Sequence, residues 1–443
     1  MRLLLLVPTT TYRTEDFVEA ATRLGVDLVV ASERPSTFEE AYPDHLLTLD
    51  FANPEQAVRA VVDLARRQPI DAVVPVDDLT TGVGAVVAEA LGLPANPTAG
   101  VAASRNKYRM REALARAGVL SPPYRRFTLA DDPETAASRA PYPCVLKPTI
   151  LAASRGVIRA DGPAEFVAAF RRIAAILRSP DVADRPGSDE ILVEGFVPGR
   201  EVALEGLLRD GALVVLALFD KPDPLDGPFF EETLYVTPSR LPADVQAAIA
   251  GATGRAAAAL GLHDGPIHAE LRINTAGPWL VELAARSIGG LCSRTLRFGT
   301  GMSLEELILR HALRLPIPSL EREGRAAGVM MLPIPRGGRL REVCGQAQAL
   351  AVPGIEAVTI TAHAGQELVR LPEGSRYLGF VFARGEDPAQ VEAALREAHR
   401  RLTFTIVADT VAADPDALGP WSAAGGATAE VPVSAAEVPS CGS

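Results

Sequence analysis

The chain has 443 residues and a formal net charge of −11, with 44 Lys and Arg against 55 Asp and Glu. That acidic balance excludes a general nucleic-acid or anionic-membrane binder, which needs a basic surface to displace counterions; a local basic cleft stays compatible with it. Hydrophobic residues at 48% and charged residues at 22% describe a globular rather than a disordered chain, and roughly 100–200 residues per domain gives two to four domains.

Cys144, Cys292, Cys344 and Cys441 are scattered and show no zinc-ligand spacing. Neither a zinc site nor a disulfide scaffold is expected, and a cytoplasmic location is the simpler expectation. Met1-Arg2-Leu3-Leu4-Leu5-Leu6-Val7-Pro8 has no small-residue cleavage site behind it and reads as a buried first strand, not a signal peptide. No run of about 18 apolar residues occurs, so no membrane-spanning helix is expected.

The first region, 1–104, alternates strand and helix signals. Strands are predicted at 3–7, 26–31 and 70–76, the last ending at Asp77-Asp78. Helices are predicted at 15–24, 55–66 and 83–91, with Ala57, Val61, Leu64 and Ala65 on one face of the second. Apolar strands alternating with helices describe a parallel sheet covered on both faces. The first strand is followed by Thr9-Thr10-Thr11-Tyr12 and not by a glycine-rich dinucleotide fingerprint, so a nicotinamide dehydrogenase is not expected.

The second region, 105–317, opens with a helix at 107–117 and continues with strands at 144–147, 191–194, 201–209 and 212–219. A helix at 243–260 ends on Gly261, a normal cap position. Two strands follow at 268–273 and 278–283, and Ser303-Leu304-Glu305-Glu306 starts the closing helix. The third region, 318–411, mixes strands at 358–361 and 377–383 with a helix capped by Asp387, whose stripe is Val391, Leu395, Ala398 and Leu402. Residues 412–443 contain no Lys or Arg and no periodicity, and are expected to be a disordered tail.

Chemistry concentrates in the second region. A hairpin centred on Ala276 sets Glu270 opposite Glu282, with Cβ atoms about 4.5–5.5 Å apart. Like charges so placed need compensation, and a divalent cation such as Mg²⁺ with substrate phosphates would supply it. The competing arrangement is a slipped register with each acid paired to Arg272 or Arg286. Lys147 ends the apolar run Cys144-Val145-Leu146, either as a snorkelling strand end or as a phosphate-binding ammonium. The small-residue stretch Ala152-Ala153-Ser154-Arg155-Gly156-Val157 is a surface turn or a loop that brings N–H groups to a phosphate. Glu194 and Glu201 flank a Gly/Pro turn that contains Phe196 and Val197.

Taken in order, Lys107 on a helix, Lys147 on a strand, the small-residue loop, the acid-flanked turn and two strand glutamates followed by Arg286 resemble the ATP-grasp superfamily. The stretch Glu282-Leu283-Ala284-Ala285-Arg286-Ser287-Ile288-Gly289-Gly290 is similar to that superfamily's metal-and-phosphate signature. Pro333-Ile334-Pro335-Arg336-Gly337-Gly338 and Leu371-Pro372-Glu373-Gly374-Ser375-Arg376-Tyr377-Leu378-Gly379-Phe380 resemble the C-terminal domain of the dipeptide-forming L-amino-acid ligases.

The resemblance implies a mixed α/β and α+β chain. A Rossmann-like N-terminal domain (1–104) would precede an ATP-grasp domain (105–317) and a small α+β C-terminal domain (318–411). It implies a carboxylate–amine ligase acting through an acyl phosphate, with ATP, one or two Mg²⁺ ions, and small-molecule carboxylate and amine substrates. No nucleic-acid or membrane partner is implied, and a homodimer is compatible. Lys107 and Lys147 would hold ATP phosphates, and Ser154, Arg155, Gly156 and Val157 would lie in the loop closing over them. Glu194, Phe196 and Val197 would meet adenine, Glu201 the ribose, and Glu270 and Glu282 the metal. Arg286 would stabilise the transferred phosphoryl group.

Ala284 stands where the superfamily often has an Asn ligand, which leaves a non-catalytic ATP-binding module as the alternative. A thiol or hydroxyl acceptor is another. The irregular segment 220–232 is expected to line the acceptor pocket or to be a surface excursion, with Lys221 near phosphate or carboxylate. His268, on the strand face of Glu270, would orient substrate or serve the core.

Overall fold

Leu3, Leu4, Leu5 and Leu6 have no solvent exposure, and a strand apolar on both faces is stable only between covering layers. In the computed structural model, which describes residues 1–408, this strand (Arg2–Leu6) pairs in parallel with Asp27–Ser32 and Ala72–Pro75. A short strand, Leu46–Thr48, adds to the edge of Asp27–Ser32. Helices Thr14–Leu24 and Pro54–Arg67 connect the strands, and a third, Asp78–Ala90, follows the last of them. The third begins at Asp78, directly after the strand, and not at residue 83 as the periodicity suggests. The 412–443 expectation lies outside the described residues.

The chain divides into two compact units, each assembled from distant segments. The first comprises Met1–Ser121, Val202–Leu218 and Leu241–Gly324. Beyond the parallel sheet it contains helices Thr98–Arg105, Lys107–Arg116 and Ala243–Leu260. It also holds a run of hydrogen-bonded strands in the order Gly277–Ala284, Gly265–Asn274, Arg200–Arg209, Ala212–Asp220. Met110, Leu114, Leu204, Ile249, Ile267 and Leu271 fill the space between these helices and strands.

The second unit comprises Pro122–Glu201, Phe219–Arg240 and the described chain from Arg325. An antiparallel sheet ordered Tyr124–Thr128, Glu190–Gly195, Cys144–Pro148, Ile158–Ala160 buries one face against helix Pro163–Leu177, through Phe166, Phe170 and Ile173. A second antiparallel set runs Leu234–Thr237, Ala326–Leu332, Gly379–Gly385, Ile355–Ile360. Helix Pro388–Arg401 packs there through Val391, Leu395 and Ala398, the stripe expected from its periodicity. Among the described residues no helix is long and apolar enough to cross a membrane.

Candidate active site

In the first unit, Glu270 and Glu282 are direct partners across the hairpin, by a route the sequence did not reveal. The turn closes on Asn274 and Gly277, half a residue earlier than a turn centred on Ala276. Asn274 Oδ1 accepts from the Ala276 N–H (2.9 Å) and from Trp279 Nε1 (3.0 Å), the local bonding that makes Asn a turn residue. The register then shifts: Leu271 pairs with Leu280 but Glu270 pairs with Glu282, leaving Val281 as a bulged extra residue. The bulge brings the acids opposite one another. Arg111, wholly buried, donates to the Val281 carbonyl.

Both acids have cationic neighbours. Lys107, at the start of a helix capped by Asn106, lies 3.3 Å from Glu282 Oε1. His268 Nε2 lies 3.6 Å from Glu270 Oε1, and its Nδ1 lies 3.2 Å from Glu205 Oε2. Burial pushes the imidazole down, but Glu205 and Glu270 outweigh it and carry the pKa up to about 9. His268 is therefore a buried imidazole between two acids that favour its protonated form. That arrangement agrees with a structural role, and it holds the ring beside Glu270.

Arg286 is held at its head and along the backbone that follows. Its Nε and Nη2 both donate to Asp78 Oδ2, at 2.9 and 2.6 Å. Burial would raise the Asp78 carboxyl, but Arg286 outweighs that and holds it below the usual carboxylate range. The Ile288 N–H donates to Glu205 (3.0 and 3.2 Å), while Arg13 donates to the Ile288 carbonyl (3.0 Å) and to Ser287 Oγ (2.8 Å). Arg13 also pairs with buried Glu305 at 2.8 Å. Asp78, Arg13 and Glu205 were missed in the sequence. Asp78 was visible only as an acid ending a strand, and nothing local marks the other two.

In the second unit, Lys147 Nζ lies 2.7 Å from Glu194 Oε2, with both residues buried. Val145 pairs with Glu194 and Lys147 with Leu192, so the two charges are diagonal neighbours on one face. The Phe196 N–H donates to the Pro143 carbonyl (2.9 Å), and the Arg159 guanidinium lies 4.1 Å from the Phe196 ring centre. Val197 is buried.

Lys221, expected near phosphate or substrate carboxylate, lies between two protein acids. It is 2.9 Å from Glu201 Oε1 and also bonds Glu232, which accepts from Tyr235 Oη at 2.9 Å. Arg155, expected at the phosphates, binds Asp181 (2.5 Å) and the Glu373 carbonyl (2.9 Å). Ser154 and Gly156 sit at φ 55° and 74°, and Val157 N–H returns to the Ser154 carbonyl at 3.1 Å.

Three stretches of the chain match known domain families. Residues 18–95 match the ATP-grasp N-terminal domain, residues 140–295 the ATP-grasp domain and residues 330–407 the L-amino acid ligase C-terminal domain 2. Alanine–anticapsin ligase of Bacillus subtilis is 29% identical over 293 residues, covering 62% of this chain and 60% of that protein. The matched part of the chain thus spans less than two thirds of that relative. Carnosine synthase 1 of Gallus gallus is 29% identical over 343 residues, covering 73% of this chain and 37% of that protein. The crystal structure of L-amino acid ligase from Bacillus licheniformis superposes with a TM-score of 0.75 at 27% identity, covering 92% of this chain and 98% of that one. The chain thus carries, in order, an ATP-grasp N-terminal domain, an ATP-grasp domain and an L-amino acid ligase C-terminal domain.

Proposed function

We propose that the chain is an ATP-dependent carboxylate–amine ligase that joins a carboxylic acid or amino acid to an amine as an amide, releasing ADP and phosphate. One observation carries the reading: Glu270 and Glu282 stand opposite one another on a bulged hairpin, with Lys107 beside them and Arg286 on the chain just beyond. Paired carboxylates are hard oxygen donors, and one or two carboxylates with substrate phosphates is the set Mg²⁺ prefers, so these residues fit that ion. Glu270 and Glu282 would hold it, and it would supply charge neutralisation at the phosphates of the substrate ATP.

A carboxylate is a poor electrophile. In the proposed first step its oxygen attacks the γ-phosphorus of ATP and displaces ADP, giving an acyl phosphate. The amine nitrogen then attacks the acyl carbon, loses a proton and expels phosphate. The protein's share is positioning and stabilisation of developing charge. Lys107 and Lys147 would bind phosphate oxygens, and the 153–157 loop would cover them and exclude water. Glu194, Phe196, Val197 and Glu201 would frame the nucleoside. Arg286, fixed by Asp78, would face the transferred phosphoryl group. Lys221, already held between Glu201 and Glu232, would keep Glu201 oriented.

An ADP-release screen over amino-acid pairs tests the reading. Amine-dependent formation of ADP and phosphate is expected, and AMP with pyrophosphate as products would sink it. Glu282→Gln is expected to abolish turnover with an unchanged melting temperature. Wild-type turnover in that variant would refute the metal-site assignment.

A further inference from the structure

Residues 152–157 turn sharply. Ala153 and Ser154 sit at φ 53° and 55°, a conformation that non-glycine residues hold only where their surroundings impose it. The two residues that follow are bound by residues 372–373, far along the chain. The Gly156 N–H donates to the Pro372 carbonyl at 2.8 Å, and Arg155 Nε donates to the Glu373 carbonyl at 2.9 Å. The Glu373 carboxylate receives a two-point fork from Arg172 on helix Pro163–Leu177, with Nε–Oε1 2.6 Å and Nη2–Oε2 2.9 Å. Such forks fix orientation as well as distance. Arg155 continues to Asp181 at 2.5 Å and Ser179 at 3.3 Å. A Cβ on Gly156 would lie 2.7 Å from Pro148 Cγ, so the loop is also pressed against the strand that carries Lys147. The amides of Arg155, Gly156 and Val157 are engaged by the carbonyls of Ala152, Pro372 and Ser154, which leaves the 152–154 end of the loop outward.

We propose that Glu373 is a positioning residue for the phosphate loop, and that holding 153–157 ordered before nucleotide arrives is a task of the C-terminal region. The proposal rests on the reading of 153–157 as the loop that covers the phosphates of ATP. A loop already ordered gives up less chain entropy when ligand binds, so the tie raises affinity without touching the ligand. It borders a cavity of about 1040 Å³ whose walls include Arg155, Arg172, Glu373 and Arg376. Solvent therefore reaches it, and breaking it opens no hydrophobic core.

The test uses the full chain as wild type, Glu373→Ala, Glu373→Gln and Arg172→Gln. Hydrogen exchange is read over 152–157, and ATP with Mg²⁺ is titrated by calorimetry. In Glu373→Ala and Arg172→Gln, exchange at 155–157 is expected to rise about tenfold or more, with Cys144–Pro148 and Glu190–Gly195 unchanged. ATP is expected to bind about tenfold more weakly, and Glu373→Gln to fall between. Unchanged loop exchange overturns the proposal. So does faster loop exchange with unchanged ATP affinity, or a rise spread evenly over the unit in every variant. A wild-type chain that binds no ATP sinks the nucleotide-site reading itself, and that outcome is visible before any variant is made.

Discussion

Arg13 is 1% exposed, and its guanidinium is divided among Ser287 Oγ, the Ile288 carbonyl and Glu305. A buried ion pair gives little net stability over an apolar pair, but removing one partner strands the other. Arg13→Met is therefore expected to destabilise the chain by roughly 3–5 kcal/mol in urea unfolding. Arg13→Met combined with Glu305→Leu should be less harmful than the single change, because no charge is then stranded. A single variant within about 1 kcal/mol of wild type would refute the buried-charge account. Glu231 gives a pH signature. Burial raises its pKa from 4.5 to about 7, against the lowering effects of the Ile334 N–H and of Arg370. A raised folded pKa contributes stability that is full below 4.5 and is lost as pH rises to about 7. Glu231→Gln should flatten this part of the profile and raise the melting temperature above pH 7 relative to wild type. An identical pH profile in the two proteins would exclude the assignment.

Elements were legible where their signals were local. The turn at Asn274 and Gly277 and the two glutamates lie within one hairpin, so alternation and turn chemistry bring the two acids close, and the bulge completes the pairing of Glu270 with Glu282. The bulge at Val281 was not legible, because its carbonyl is satisfied by Arg111, 170 residues away. The helix Thr98–Arg105 was also missed, since Thr-Ala-Gly-Val-Ala-Ala-Ser-Arg has no clear apolar stripe. Its place is set by close approach. A Cβ on Gly100 would lie 2.7 Å from the Leu260 carbonyl oxygen, at the end of helix Ala243–Leu260. Alanine in place of a helical glycine ordinarily gains about 0.5–1 kcal/mol. At Gly100 the clash is with backbone, and overpacking costs about 1–3 kcal/mol. Gly100→Ala is thus expected to lower stability in thermal or urea melts. A stabilised variant would mean that the two helices have room to separate.

At the scale of the whole molecule, the strand–helix order in 1–104 and the stripe of the last helix were readable, because each is a local periodicity. The assembly of each unit from three separated segments was not, because no periodicity reports long-range pairing. This separation has a consequence for truncation. A chain ending at Gly324 would keep all of the ATP-grasp match at 140–295 and every segment of the first unit. It would nevertheless lose the partner of Leu234–Thr237, which pairs antiparallel with Ala326–Leu332, from Leu234 opposite Met330 to Thr237 opposite Ala327. Leu234 and Val236 are buried in a core whose other members lie between Ala326 and Ile406. Without that partner, an apolar strand edge faces water and becomes a template for association. The truncated chain is therefore expected to keep hydrogen-exchange protection in Arg2–Leu6 and Gly265–Asn274, to lose it at Leu234–Thr237, and to aggregate at micromolar concentration. A monomeric 1–324 chain with Leu234–Thr237 still protected would show that the second unit does not need its C-terminal strands.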